Sequence, residues 1–570
     1  MPRAFAAAIL ATLTIAAPAA ASPVLVFDNG RVTNEDDPAL PAGSASNPIA
    51  AAPRECGVTR PAVASAAAFA PTAHASVVSV RKALSRAYRR GDIDRETYSA
   101  YGEVYGDAKS AWHRLGGNRK RELAAVITTV NALAARGDLT ASRMRPVFLE
   151  LQRNTEWWSR TSRIPANAPS EGDTHRPRKK TACTTAGRIA AARVQFKGDP
   201  LTLQYYPGSG LRLQPLANFG KANALYNACK GINTEPGTPC EPDKLRALLD
   251  RLVDTAVRRG GFLAWEYYFW FGGGRPPWVS GIATGSALSA LSRGASLFKE
   301  IEEQQQPPPA PPAEPTGGSI PIPLPPAPGA VSQTEQQPPA RDSAFYLDIA
   351  RQALPVYSHA APLGIRASAP RGNHYLIYSF DKGLRVGNAF LESLIGLWDY
   401  WQITGDKRAR ALWIRGDREA KYELPKLDTG AWSLYSLGGP ESDLNYHRVI
   451  RDFTENLCER TKESAYCSKA ARFDKYLHQP ARVRIVGPKT ARVKKTVRIA
   501  IRVDKISCLS IQILRGETVV YQPTWYFPRG VHSFTWTPPH SGTYRVHVLA
   551  RDLMSRQSRA DSDLRVLSRR

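Results

Sequence analysis

The sequence lacks the signatures of several common protein classes. None of its seven cysteines forms a C-x-x-C pair, which excludes the usual zinc-finger and thioredoxin-like motifs. The glycines at 272–274 are not followed by Gly-Lys-Ser or Gly-Lys-Thr, so they do not form a phosphate-binding loop. After the N-terminus no apolar stretch reaches the length of about 18 residues that a membrane-spanning helix needs. The sequence therefore predicts no metal site, no phosphate loop and no internal membrane span.

Acidic residues are also scarce, with 50 Asp and Glu against 77 Lys and Arg, so the formal charge is +27. Residues 481–570 hold 18 basic against 5 acidic residues, a net charge of +13. A field of this sign attracts polyanions such as acidic glycans or anionic lipid. We expect an acidic polymer as partner and no nucleic acid, because no nucleic-acid-binding motif is present. An Arg-rich composition that follows from a GC-rich genome is the alternative explanation.

The N-terminus has the pattern of a secretory signal. Arg3 is followed by an apolar run from Ala4 to about Ala17, and an A-x-A ending precedes Ser22. This succession predicts cleavage near Ala21 and a protein that is secreted or held in the cell envelope. A membrane anchor is the alternative, although the run is shorter than the ~20 residues of a membrane span.

A chain of 570 residues is too long for one core, and changes of pattern along it indicate several domains. We expect a multidomain, mainly α protein, with a helical N-terminal domain and a central α/α toroid preceded by a β-hairpin. The alternating pattern after residue 480 predicts a C-terminal immunoglobulin-like β-sandwich that folds independently. The predicted boundaries are 1–21 signal, 22–75 disordered, 76–163 helical domain, 164–192 linker, 193–480 central domain with a Pro-rich insert at 304–341, and 481–570 β-sandwich.

Three stretches of the central region carry recognisable motifs. They read PPWVSGIATG at 276–285, NAFLESLIGLWDY at 388–400, and LPKLDTGAWSLYSL at 424–437, the last followed by DLNYH at 443–447. In this order and spacing they resemble the glucuronyl C5-epimerase family, whose members convert glucuronate to iduronate within polysaccharide chains. The resemblance covers about half of the chain and implies an isomerase.

By motif, the resemblance places the family's catalytic tyrosines on Tyr378, Tyr435 and Tyr446. The chemistry gives such residues a reason, because the C5 proton of a uronate lies α to a carboxylate. A base on one face of the sugar must remove the proton and an acid on the other must return one. The developing enediolate needs a cation or hydrogen-bond donors, whereas no metal or cofactor is required.

The sequence departs from the family motif at three positions. Gly438 stands where the motif has Arg, Ile377 where it has an acid, and Glu392 where it has Tyr. We therefore expect the uronate to be held by other side chains, with the missing Arg replaced by Arg385, Arg212 or His447. The expected substrate-binding residues are His447, Asn445, Asn388, Arg385, Arg212 and Gln214.

The leading hypothesis is a secreted C5-epimerase that acts on an anionic, uronate-containing polysaccharide. A polysaccharide lyase is an alternative, because elimination begins with removal of the same C5 proton. A cell-envelope protein that binds glycan without turnover is the other alternative, and Gly438, Ile377 and the basic C-terminal region favour it.

Overall fold

A computed structural model describes residues 22–40, 78–165, 192–232, 234, 237–305 and 341–568. Of these residues, 47% are helical and 26% lie in strands. The predicted signal, the linker at 164–192 and the Pro-rich insert at 304–341 lie wholly or almost wholly outside the described residues.

Four helices and a five-stranded sheet form the N-terminal part. The helices are α1 (Val80–Arg89), α2 (Arg95–Arg114), α3 (Gly117–Ala135) and α4 (Ala141–Arg160). The strands are β1 (Ser22–Asp28), β2 (Arg31–Asp37), β3 (Arg193–Phe196), β4 (Thr202–Tyr206) and β5 (Gly210–Leu213). In the order β2-β1-β3-β4-β5 only the pair β1–β3 is parallel. Leu25, Phe27, Trp157, Trp158 and Tyr205 share one core, so sheet and helices form a single unit.

The prediction of disorder for 22–75 is wrong for its first residues, because 22–28 and 31–37 form the hairpin β1–β2. Val24, Leu25 and Phe27 are buried, and β1 pairs with β3 about 170 residues later in the chain. The Ala- and Pro-rich composition of the longer stretch concealed this short apolar strand. Residues 41–75 lie outside the described part of the chain.

The central helices pack as a row. They are α5 (Pro215–Lys230), α6 (Pro242–Val253), α7 (Gly281–Gln305), α8 (Ser343–Ala353), α9 (Gly387–Thr404), α10 (Lys407–Glu423), α11 (Leu444–Thr461) and α12 (Ser464–His478). Contacts run from α6 through α5, α7, α9 and α11 to α12, with α8 beside α7 and α10 beside α9. α7 and α9 approach closely, because a Cβ at Gly396 would lie 2.2 Å from the carbonyl oxygen of Gly285.

The predicted fold class, a mainly α protein built on an α/α toroid, is wrong. Among the described residues no extensive contact of α12 with α5 or α6 closes the row of helices into a ring. Several small sheets also lie in the central region: β6 (Val257–Arg259) with β7 (Phe262–Ala264), β8 (Glu266–Tyr267) with β9 (Trp278–Val279), and β10 (Arg366–Ser368) with β11 (Asn373–Tyr375). Strands of two or three residues show no periodicity, and amphipathic patterns do not specify which helix packs against which.

The C-terminal region is β-rich, and Val483–Leu567 is called the C-terminal β domain below. One sheet contains β12 (Val483–Gly487), β14 (Val497–Val503) and β18 (Gly530–Trp536). The other contains β13 (Thr490–Arg492), β15 (Ser507–Arg515), β16 (Thr518–Tyr521), β17 (Thr524–Phe527), β19 (Gly542–Asp552) and β20 (Gln557–Leu567). Alternate residues of both sheets, such as Ile501, Ile511 and Val546, fill the core between them.

Two disulfides with both cysteines in the described ranges, Cys229–Cys240 and Cys458–Cys467, join neighbouring helices or loops. The second connects α11 to α12 across their short turn. None of the helices within the described ranges has the length and apolar content that a membrane span requires.

Candidate active site

Five tyrosines from five separate segments meet in one buried cluster. They are Tyr206 at the end of β4, Tyr267 in β8, Tyr378 after β11, Tyr435 in the loop before α11, and Tyr446 in the first turn of α11. All five are less than 10% exposed. The three tyrosines that the motifs indicate, Tyr378, Tyr435 and Tyr446, therefore lie together, and two further tyrosines join them.

Backbone pairing holds Tyr378 at the start of α7. Tyr378 forms a β-bridge with Ser280, and the amide of Gly281 donates to the carbonyl of Ile377. Its ring stacks on Phe380 at 5.2 Å between centroids and meets Trp278 edge-on at 5.4 Å. Burial, and then the neighbouring tyrosines, raise the pKa of Tyr378 well above its usual value. The phenol is thus a protonated donor in this state.

Gln214 connects two of the tyrosine hydroxyls at the wall of a pocket. The hydroxyl of Tyr267 donates to Gln214 Oε1 at 2.8 Å, and Gln214 Nε2 donates to the hydroxyl of Tyr206 at 2.7 Å. The pocket is open to solvent on one side and is also lined by Tyr378 and Ser280. The predicted binding residue Gln214 therefore lies at the pocket with Tyr378.

Tyr435 and Tyr446 line a smaller adjoining space. Their ring centroids are 4.8 Å apart in an edge-to-face arrangement, and the shallow space beside them is also lined by Asn388. Burial, and then the charge of Asp443, raise the pKa of Tyr435. Of the two predicted asparagines, Asn388 lies at the tyrosines. Asn445 lies half-buried one position before Tyr446 and does not line the space.

Arg193 provides a buried cation next to the cluster. Burial lowers the pKa of Arg193 to about 10, and the charges of Asp37 and Tyr206 act in the opposite direction. The guanidinium therefore stays charged at neutral pH. The charge of Arg193 in turn acts to lower the pKa of Tyr206, but the larger effect of burial keeps that pKa well above its usual value. Sequence reasoning missed Arg193, Tyr206 and Tyr267. The pair Tyr205-Tyr206 before the turn at Pro207 was the available signal, since it lies in the predicted hairpin.

The two predicted arginines are engaged elsewhere. Arg212 is buried, and its Nη1 contacts Glu150 Oε2 on α4 at 2.8 Å, so it joins β5 to the N-terminal helices. Arg385 Nη1 contacts Glu423 Oε1 at 3.1 Å, and its Nη2 donates to the carbonyl of Ser368. A buried ion pair is costly to break. Neither arginine is therefore placed to replace the family's carboxylate-binding Arg.

The predicted role of His447 is also not supported by its contacts. Its Nε2 lies 3.0 Å from the carbonyl oxygen of Phe473, and its Nδ1 lies 2.8 Å from Ser433 Oγ. The ring stacks on Trp432 at 3.6 Å. A carbonyl accepts only, so Nε2 carries the proton and Nδ1 accepts. Both nitrogens are used inside the core, and His447 anchors the loop that carries Tyr435.

The three departures from the motif have structural explanations. Gly438 has φ +69°, so an Arg there would adopt a left-handed conformation that costs about 1–2 kcal/mol. Ile377 is buried and lines the pocket of Tyr378. Glu392 lies on α9 against Ser286 of α7, where burial raises its pKa to about 7. Glu392 thus belongs to the helix interface rather than to the tyrosine cluster.

The state of His447 predicts a pH dependence of stability. Burial lowers its pKa to about 3 from an ordinary value of 6.5. Between these values the unfolded chain binds a proton that the folded chain does not, so stability falls as pH drops through this window. From pH 7 to pH 5 the wild type should lose about 2 kcal/mol more unfolding free energy than His447→Gln. Parallel urea titrations at both pH values measure this, and equal losses would show that His447 is protonated in the fold.

Comparison with known proteins locates a family segment in this chain. Residues 340–475 match the sequence model described as the D-glucuronyl C5-epimerase C-terminus. No curated protein matches the chain. Two solved structures of the CARDB domain of a Pyrococcus furiosus protein, one a crystal structure in complex with di-metal ions and one an NMR structure, are each 20% identical to it. They cover 16% and 15% of this chain and 94% of their own, with TM-scores of 0.14 and 0.13, and carry no argument about its fold.

The matched segment includes Tyr378, Tyr435 and Tyr446, three of the five clustered tyrosines. The predicted resemblance is therefore supported for this quarter of the chain: residues 340–475 match the model of the D-glucuronyl C5-epimerase C-terminus.

Proposed function

We propose that this protein is a secreted C5-epimerase that converts glucuronate to iduronate-type residues within a polysaccharide. The family of residues 340–475 suggests uronate epimerase activity. The observation that carries the proposal is the convergence of five tyrosines in one buried cluster, three of them at a pocket, beside the buried cation Arg193. Proton transfer is the whole of this chemistry, and phenols next to a cation can supply it.

In the proposed reaction, a tyrosine phenolate takes the C5 proton and the C–H electron pair moves into the carboxylate to give an enediolate. A second tyrosine on the other face then donates its proton to C5, so that the configuration is inverted and no atom is lost. Burial keeps the phenols protonated, which suits the acid. The base must be ionised. Burial raises the pKa of Tyr206 well above its usual value, and the charge of Arg193 opposes that rise, so Tyr206 is the tyrosine with a cation beside it. We assign it, with Tyr378 and Tyr435, to the reacting group.

A glycan-binding protein without turnover is the second candidate function. Burial raises the pKa of both Tyr378 and Tyr435, and the position of the family's Arg is a glycine that leaves no cation on that loop turn. A buried, protonated tyrosine donates hydrogen bonds well but removes protons poorly. The two functions differ in whether C5 exchanges its hydrogen with solvent.

Substitution of single hydroxyls distinguishes these functions. In deuterium oxide the wild type should place deuterium at C5 of a glucuronate-containing polymer. Tyr378→Phe and Tyr435→Phe should each lower the exchange at least about 100-fold, because general acid or base catalysis is lost. Tyr346→Phe is the matched control, since Tyr346 is equally buried but donates to Asp250.

Mass spectrometry and NMR of the recovered polymer measure the deuterium. Full exchange in the Tyr378→Phe/Tyr435→Phe double variant would remove these residues from the site. Binding of the polymer without exchange would support the glycan-binding function. A product with a 4,5-double bond, detected by its ultraviolet absorbance, would assign a lyase.

We also propose that the protein is exported. The charged, apolar and A-x-A succession of residues 1–21 supports this, and so do the two disulfides, which persist in oxidising compartments. The mature chain should begin near Ser22, at the first residue of β1. Mass spectrometry of the native N-terminus checks this, and an intact Met1 in the cytoplasm would contradict it.

The C-terminal β domain offers a basic face for the polymer. The outward positions of β12 and β14 carry Arg484, Arg498 and Arg502, and Arg484 lies directly opposite Arg502. Like charges across a strand pair are unfavourable, and an anion between them removes the cost. On the other sheet, by contrast, His547 and Arg545 pair with Asp561 and Asp563. We propose that this arginine face, for which the described residues provide no carboxylate partner, holds an anionic polysaccharide, including one in the cell envelope.

This proposal predicts that two sets of arginines differ in how strongly they hold the protein on an anionic polymer. Replacing Arg484, Arg498 and Arg502 by Ala should lower the salt concentration that elutes the protein from an immobilised glucuronate polymer. Replacing Arg545, Arg559 and Arg565 on the other sheet changes the net charge equally and should have a smaller effect. Equal shifts would mean that net charge alone, rather than this face, controls retention.

A further inference from the structure

The C-terminal β domain is docked on the loop that carries Tyr435. Glu441, in that loop, is only 3% exposed although its side chain is acidic. Its Oε1 accepts from the backbone N–H of Ile506 at 3.0 Å, and its Oε2 accepts from that of Arg529 at 2.6 Å. Both donors belong to the C-terminal β domain, so one carboxylate joins the loop to two separate turns of that domain.

Backbone pairing links Glu441 closely to the tyrosine. Leu434 and Glu441 form a β-bridge, and the amide of Tyr435 donates to the carbonyl of Pro440 at 2.9 Å. The loop thus folds back on itself through the turn that contains Gly438. Because Glu441 lies opposite the residue before Tyr435, a displacement of Glu441 moves the backbone of Tyr435.

A second contact holds the same loop from the β domain. Lys505 Nζ pairs with Asp552 Oδ2 at 2.8 Å, donates to the carbonyl of Tyr476 at 3.1 Å, and lies 5.1 Å from the ring centre of Trp432. Lys505 and Asp552 are both buried. Trp432 stacks on His447, so its ring lies in contact with both His447 and Lys505.

Apolar packing makes this interface continuous with the central core. Ile506 and Leu553 of the β domain are buried in the same cluster as Leu434 and Trp432. Tyr526 of β17 lies close enough to Asp443 and Glu441 that their charges raise its pKa, after burial itself. Residues 481–570 were predicted to fold independently because the sequence period changes at residue 480. Their apolar side chains Ile506 and Leu553 nevertheless share a core with the central region, and a change of period cannot reveal such a contact.

We propose that the C-terminal β domain is a positioning element for the tyrosine loop at 428–446, and that Glu441 is its principal positioning residue. The catalytic part of this inference rests on the proposed function. The domain then has two roles, since its arginine face holds the polymer while its contacts through Ile506 and Arg529 fix Tyr435 against Tyr446.

Removal of the Glu441 carboxylate tests the proposal in the full-length chain. Glu441→Ala leaves the N–H groups of Ile506 and Arg529 without their acceptor, and Glu441→Gln leaves one of them without it. Amide hydrogen exchange in 428–446 should therefore quicken about tenfold or more in the Ala variant and less in the Gln variant. Glu517→Ala, at an exposed turn of the same domain, is the matched control and should change nothing.

C5 deuterium exchange provides the second readout on the same variants. Glu441→Ala should lower kcat about tenfold or more while KM changes little, because the polymer still binds but Tyr435 is misplaced. Circular dichroism confirms that the variants are folded. Unchanged amide exchange in 428–446 would overturn the docking role, and faster amide exchange with unchanged kcat would overturn the positioning role. A wild type without C5 exchange would contradict the proposed function alone, and amide exchange would still decide the docking role.

Discussion

The burial of phenol groups is the constraint on which this site depends. A hydroxyl taken out of water must find a partner or lie beside a space that a ligand fills. Gln214 meets part of this need by joining the hydroxyls of Tyr206 and Tyr267, and the remaining space lies beside Tyr378. The same burial raises the pKa of Tyr378 and Tyr435. The cluster is thus suited to donate protons, and at Tyr206 the charge of Arg193 opposes the rise in pKa that burial causes without reversing it.

Three parts of the chain build this environment together. The N-terminal sheet supplies Tyr206 and Arg193, and Arg212 ties that sheet to α4 through its buried pair with Glu150. The central helices supply the tight approach of α7 to α9, which places Ser280 against the Tyr378 segment. The C-terminal β domain holds the loop of Tyr435 through Glu441. None of these parts forms the cluster alone, so the chain works as one unit despite its changes of composition.

Sequence reasoning reached the parts of the site that carry local motifs. Tyr378 was found because it shortly precedes a recognisable string of residues, and Tyr435 and Tyr446 because they lie within such strings. The pattern after residue 480 correctly predicted β structure. Sequence reasoning failed where contacts between distant parts of the chain determine the fold. β1 pairs with a strand far along the chain, and the helices form a row rather than a ring. His447 and Arg385 were assigned to substrate by residue type, although their hydrogen bonds face inward to Ser433 and Glu423.

A structure of the protein with a bound glucuronate oligosaccharide tests the central claim most directly. The account predicts one uronate ring in the pocket of Tyr206 and Tyr378, with its carboxylate toward Arg193. Tyrosine oxygens should lie on opposite faces of C5 at about 3–3.5 Å, the distance of a reactive arrangement. A sugar bound with C5 facing solvent, or held only on the arginine face of the C-terminal β domain, would contradict it.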